Sequence, residues 1–304
     1  MTALAQPSAG PRRLFPTHRH VLRLTLEAVT PLSIAGGRPD PLLDTSLIRD
    51  ANGLPAIPAT SVAGVLRRLH EDYFGEDATQ VLFGVEHGGS TEGRASALEV
   101  SFGCLQDSNG HAVEGLLLGK AGAERLADPI LSAAILAAPL KRDHVALDAR
   151  GTAIEHLKFE RSSLPPGYRF SLELALWSGV NAREDVEALA AADAAKQARA
   201  ELARVLALFE APYFRLGGAT RRGLGRLQVV GAAQYAAFDM RRAEDRRRHA
   251  DARARGLHEA SRTDGFVDFA PAALPAEGGM RQPVTATITL RPRGVWRFGR
   301  GEQW

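Results

Sequence analysis

Thiols are almost missing from this sequence. Cys104 is the single cysteine among 304 residues, which excludes a disulfide framework and any zinc site built on several thiolates. That scarcity fits a reducing compartment, and a cytoplasmic location is expected. Long apolar runs are missing too: no stretch reaches about 18 consecutive apolar residues, so no membrane span is expected. A large charge excess is also lacking, since the net charge is only +3 at pH 7. Bulk charge therefore does not single out a polyanion binder. None of the common enzyme signatures G-x-x-x-x-G-K-[ST], G-x-S-x-G or H-E-x-x-H occurs. The nine histidines are scattered. His18 and His20 stand close together, but in a Pro- and Ala-rich stretch with no partner His or Cys nearby, so a histidine metal site is not expected. Residues 1–20 have no continuous apolar segment and read as a flexible tail, not a signal peptide.

Apolar residues make up 45% of the chain, enough for a sizeable core. Residues 21–29 (VLRLTLEAV) alternate apolar and polar, as a strand with one buried face does. Residues 30–41 are rich in Gly and Pro and read as a loop. After Pro58 a helix is expected, capped by Thr60 or Ser61, with Val62, Val65, Leu66 and Leu69 as its apolar stripe. Residues 98–105 read as a strand. Residues 121–138 read as helix, broken at Pro129. Residues 170–177 alternate again, residues 186–209 form a long helix by propensity, and residues 224–230 read as a closing strand. Strands and helices mix without a strict repeat. The fold class is α+β, with helices packed on one face of a mainly antiparallel sheet. Residues 236–283 read as an Arg-rich linker or partner-facing segment, and residues 284–290 (VTATITL) as a strand.

Charge is distributed more informatively than it is summed. Residues 215–226 hold Arg215, Arg221, Arg222 and Arg226 and no acid, whereas residues 241–262 hold eight Arg against four acids. Clustered guanidinium groups suit phosphate contacts, and a solvated face explains the second run equally well.

Four segments concentrate the chemistry. In residues 54–68, Thr60 and Ser61 stand at a helix start, an anion-friendly position, and Arg67 and Arg68 follow one to two turns on. Residues 216–227 (LGGATRRGLGRL) combine Gly217, Gly218, Gly223 and Gly225 with Arg221, Arg222 and Arg226. Those glycines let a backbone approach a ligand closely. The segment runs from helix to strand, so a dinucleotide fingerprint does not fit. Residues 30–50 carry Gly36 and Gly37 and the carboxylates Asp40, Asp44 and Asp50. Residues 143–170 run through a turn at Asp148-Ala149-Arg150-Gly151 and return towards Leu164-Pro165-Pro166-Gly167.

The segments also follow a familiar order. Gly36-Gly37 is followed by Asp44-Thr45-Ser46-Leu47-Ile48-Arg49-Asp50, then by Pro55 to Gly64, Leu82-Phe83-Gly84 and Gly93 to Ser96. The Asp148 to Phe170 hairpin and Gly217 to Arg226 complete the series. In this order the chain, over residues 21–235, resembles the RAMP (repeat-associated mysterious protein) superfamily, and most closely the repeated backbone subunits of type III CRISPR effectors. At the helix start it departs from the usual pattern, with Ala59 for Gly, Val62 for Leu and Ala63 for a basic residue.

The resemblance implies a ferredoxin-like core related to the RNA-recognition motif. It implies subunits stacked along a guide RNA in antiviral defence, with target RNA, other effector subunits or further RAMP units as partners. A thumb hairpin over residues 142–163, with Asp148, Arg150 and Lys158, would intrude into the guide–target duplex. In cleaving members, an Asp matching Asp44 cuts target RNA with a divalent metal such as Mg²⁺. Two alternatives within the family are a non-catalytic scaffold or capping subunit and a guide-processing endoribonuclease. The latter usually needs a histidine near the start of the core. An unrelated enzyme on a ferredoxin-like fold would need a cofactor motif, and none is recognisable. The last 20 residues loosely repeat the chain's opening pattern, as the start of a second RAMP unit would.

Overall fold

The alternation read from residue 21 begins earlier, at His18, and makes β1 (His18–Ala28) the strand about which the rest assembles. The computed structural model describes residues 16–36, 46–85, 93, 95–136, 140–179, 185–257 and 265–275, with single residues 287, 289 and 291. β1 pairs antiparallel with β6 (Arg169–Ser178) on one side and β7 (Leu227–Asp239) on the other. β2 (Leu98–Val100) and β3 (Cys104–Leu105) pair with β6, and β8 (Val267–Phe269) pairs with β7. The strand order is β2-β6-β1-β7-β8. Helix α1 (Ala59–Phe74) connects β1 to β2, and α5 (Asp185–Leu208) connects β6 to β7. This is the β-α-β-β-α-β plan of a ferredoxin-like fold, an open sheet whose neighbouring strands all pair antiparallel.

The two faces of β1 have different chemistry. Leu22, Leu24 and Leu26 point into the core with Phe170, Leu172 and Leu174 of β6. Val62, Leu66 and Leu69 of α1 and Leu202 and Val205 of α5 cover them. Truncating one of these fully buried leucines costs about 2–5 kcal/mol. The odd-numbered residues face the other way. Val21 packs there with Ala236, Phe238, Phe266 and Ala252, the last from α6 (Ala243–Arg255). Arg19 and Arg23 are buried on this face. Arg19 forms a bidentate pair with Glu99 at 2.7 and 2.6 Å. Arg23 reaches Glu173 at 3.0 Å and donates to the carbonyls of Ala252 and Gly256, capping the last turn of α6.

The expected elements correspond closely in the middle of the chain. Pro129 does separate two helices, α3 (Gly119–Leu126) and α4 (Pro129–Leu136). The Asp128 carboxylate accepts N–H bonds from Ile130 and Leu131 at the start of α4. Several boundaries differ. Thr60 and Ser61 do not cap α1: the cap position is Pro58, and no side chain hydrogen-bonds there. The helix starts at Ala59, so both hydroxyls fall inside its first turn. A short helix with no counterpart in the sequence reading, α2 (Glu76–Phe83), follows Gly75, whose φ of 87° ends α1. The sheet also crosses both edges drawn at 21 and 235. β1 includes His18 to His20, β7 runs to Asp239, and α6 and β8 lie on and in the same sheet. Of the C-terminal strand at 284–290 and the proposed second unit, nearly all lies outside the described residues.

β4 (Leu140–Leu147) and β5 (Ala153–Ser163) form a separate two-stranded sheet, the protruding hairpin expected at 142–163. Asp148 makes its turn, its carboxylate accepting from the N–H groups of Arg150 and Thr152. Gly151, at φ 80°, takes the left-handed position.

His20, read from the sequence as part of a tail, is 1% exposed and bound to the Tyr235 hydroxyl and Ser178 Oγ, each at 2.7 Å. Burial, with a smaller contribution from His18, lowers its pKa from 6.5 to about 4. Burial likewise lowers His18 and His249. The unfolded chain therefore binds these protons first. Stability is complete above pH 6.5 and falls as the pH drops towards 4, His20 alone accounting for roughly 3 kcal/mol at the bottom of that window. Urea denaturation between pH 7 and 4.5 is expected to show this loss, and His20→Gln to flatten it. An equal slope in the variant would show that His20 does not carry the effect.

Candidate functional site

Three of the four segments singled out in the sequence meet at the end of β1. The chain leaves the sheet at Ala28, and Val29 and Thr30 donate to the carbonyl of Arg226. The base of the hairpin joins next. Leu32 and Leu164 exchange two backbone hydrogen bonds of 2.9 and 2.7 Å, and Ser33 Oγ donates to the Ser162 carbonyl. The glycine-rich loop then folds over both. Gly218 N–H donates to Ser33 O at 2.7 Å, Gly225 N–H to Pro31 O at 2.9 Å, and Arg226 N–H to Thr30 Oγ1 at 2.9 Å.

Two of the four loop glycines are required by the protein's own backbone. A Cβ on Gly217 would lie 2.3 Å from Ser33 O, and one on Gly225 would lie 2.0 Å from Leu216 O. Both positions also have positive φ, 85° and 78°. A Cβ on Gly218 would meet Arg161 Nη1 at 2.6 Å. Gly223, at φ 89°, faces open space. Ala219, at φ 57°, is the sole left-handed non-glycine among the described residues. Such a conformation persists only where the surroundings impose it. It leads into a 3-10 turn at Thr220–Arg222. The loop is thus a fixed backbone platform with Arg221, Arg222 and Arg226 exposed on it. No ion pair is drawn for Arg221 or Arg226 among the described residues, and residues 211–226 contain no acid.

The start of α1 is placed differently. Thr60 is exposed and Ser61 half-buried. Arg67 donates to the Gly84 carbonyl at 3.1 Å, and Arg68 pairs with Asp72 at 3.1 Å and Glu71 at 3.9 Å. No hydrogen bond or ion pair among the described residues links these four side chains to the glycine loop. Gly36 is half-buried, its N–H bound to Ser46 O. Gly37, Asp40 and Asp44 lie outside the described residues. Asp50 shapes the Asn52-Gly53 turn, its Oδ1 accepting from Asn52 and Leu54 N–H at 2.8 Å each. Lys158 is placed on β5 by its backbone alone, and Arg150 is exposed beside the hairpin turn.

The second Arg-rich run behaves otherwise. Arg241 pairs with Asp239 at 2.8 Å, and its hydrogen bond is the main cause that brings the Asp239 carboxyl to about 2. Arg246 donates to the carbonyls of Met240 and Arg241, and Arg248 pairs with Asp245. Much of this charge is therefore spent on the chain's own acceptors. A cavity of about 430 Å³ on the same face is lined by Arg19, Arg23 and Arg253 but also by Glu99, Glu114 and Glu173. Its charges balance, which disfavours a polyanion.

Histidine chemistry is similarly absorbed by the core. His20 is buried as described, and His70 is enclosed between Thr79 Oγ1 and Glu201 Oε1, each at 2.7 Å. Among the described residues no group of His, Cys, Asp or Glu could hold a metal ion, and no helix is long and apolar enough to cross a membrane.

Sequence reading missed Arg161. Nothing in its local pattern marks it, because its place depends on the pairing of β5 and on the docking of Gly218.

No curated protein matches the chain. The family profile of the RAMP superfamily matches residues 25–228, two thirds of its length. That span takes in the end of β1, the hairpin and the glycine loop, the parts that build the platform. The chain belongs to the RAMP superfamily, and with that membership goes a CRISPR-associated, RNA-binding role.

Proposed function

We propose that this chain is a guide-RNA-binding backbone subunit of a type III-like CRISPR effector, acting in antiviral defence in the cytoplasm beside other effector subunits. The observation that carries the reading is the glycine platform. It holds Arg221, Arg222 and Arg226 exposed at the foot of a hairpin that stands apart from the sheet. Arginines fixed on a rigid backbone grip phosphates along a strand without reading bases. The hairpin, with Val145 and Ile154 exposed at 46% and 40%, offers apolar surface for inserting between bases. Guide and target RNA would run across the junction of the two.

Cutting of target RNA belongs to the same proposal, with Asp44 as the carboxylate and Mg²⁺ as its metal. It rests on the resemblance at residues 44–50. The described residues supply no metal cluster, and Asp50 is occupied by its turn. The ligands of such a metal would have to include Asp44, and the metal would neutralise charge developing on the scissile phosphate.

RNA affinity is expected to be nearly independent of sequence and to fall steeply with salt. Replacing Arg221 and Arg222 together by Ala should weaken binding and reduce the slope of log K against log salt by about 1.4, at about 0.7 per single-strand phosphate contact. An affinity unchanged between low and physiological salt would refute the electrostatic account.

For cleavage, Asp44→Asn should abolish metal-dependent cutting of a complementary RNA while guide binding survives. Full activity in that variant would assign the chemistry to another residue or subunit.

A further inference from the structure

Arg161 stands at the seam between the hairpin and the glycine platform, without a partner among the described residues. It lies near the end of β5, opposite Arg142, and is half-buried. Its Nε is buried and has no hydrogen-bond acceptor. No ion pair or hydrogen bond involves its guanidinium among the described residues. The buried Arg19 and Arg23 are treated quite differently: Arg19 is closed by Glu99, and Arg23 by Glu173 and two carbonyls. A guanidinium has five N–H donors and no acceptor. Withdrawing it from water without acceptors is unfavourable unless a ligand supplies them.

The glycine at 218 is explained by the same side chain. Nη1 of Arg161 lies 2.6 Å from where a Cβ at 218 would be. Gly218 has no positive φ, so its backbone does not call for glycine. The missing methyl leaves room for the guanidinium. Gly218 in turn opens the loop that carries Arg221, Arg222 and Arg226. Glu160, the adjacent acid, lies on the opposite face of β5 by strand alternation.

We infer that Arg161 holds one phosphodiester of the bound RNA between the base of the hairpin and the glycine platform. This rests on the RNA-binding reading above and adds a residue and a place to it. The ligand class follows from the donor set: a planar fork with open N–H groups matches the paired oxygens of a phosphate. A phosphate there would tie the hairpin to the platform through the RNA itself.

The test uses the full chain and a fluorescently labelled, mixed-sequence single-stranded RNA, with binding measured across a salt series. Arg161→Gln should bind about 10-fold more weakly and lose about 0.7 from the salt slope, the share of one phosphate contact. Arg161→Lys should keep the slope of the parent while binding more weakly than it, since charge is retained and the fork is lost. Gly218→Ala should weaken binding with an unchanged thermal midpoint, because only the tip of a flexible side chain must move. Parent-like affinity and slope in Arg161→Gln would overturn the inference while leaving the proposed function standing. So would a lowered thermal midpoint in that variant with the slope unaltered. If the parent chain showed no salt-dependent RNA binding, the proposed function itself would fall.

Discussion

The carbonyl oxygen of Ser33 occupies space that a side chain at residue 217 would need, and it accepts the N–H of Gly218. Much else depends on that contact. It requires glycine at a positive-φ position, holds the loop against the segment leaving β1, and sets where Arg221 and Arg222 can point. The base of the hairpin is locked to the same segment through Leu32 and Leu164. The site is consequently assembled from parts of the chain well over a hundred residues apart, with backbone hydrogen bonds as the joints. Backbone joints of this kind tolerate side-chain variation at their partners, whereas a Cβ at 217 or 225 would break them.

Charge in this protein is sorted by pairing more than by amount. The second face of the sheet contains buried arginines, an Arg-rich helix and a cavity, yet Glu99, Glu173, Asp239 and helix carbonyls answer most of those cations. The platform has fewer arginines and no nearby acid in its own segment. A net charge of +3 hides this difference entirely. Counting arginines would have favoured residues 241–262, and the pairing pattern favours 215–226.

The elements most legible in the sequence were those with strong periodicity or punctuation. Alternation gave β1 and β6, Ala and Leu propensity gave α5, and Pro129 marked the break between α3 and α4. α2 was missed because Glu76 to Phe83 is too short for periodicity to stand out. The segment of α6 and β8 reads as an exposed helix, a linker or a partner-facing stretch because the helix contributes only Ala252 as a buried residue. Its attachment comes from Arg23 capping its carbonyls and from Phe238 and Phe266 beneath it, long-range contacts that local composition cannot encode. The glycines of the loop read, in sequence, as positions where the backbone approaches a ligand closely. What approaches Gly217 and Gly225 is the protein's own backbone, a distinction only the tertiary structure makes. The order of the motifs was informative because the family's chain path brings them together, although no motif by itself said where.

The isolation of the β4–β5 ladder has a mechanical consequence. Two strands that pair, among the described residues, only with each other have one row of cross-strand bonds, and such a hairpin is marginally stable in water. Its root is anchored by the Leu32–Leu164 pair and the Ser33–Ser162 bond, so bending concentrates there. The arm is thus a lever with a stiff hinge and a compliant beam. Its working shape is set by whatever lies along it, and its amide protons should exchange with solvent far faster than those of β1 until something does.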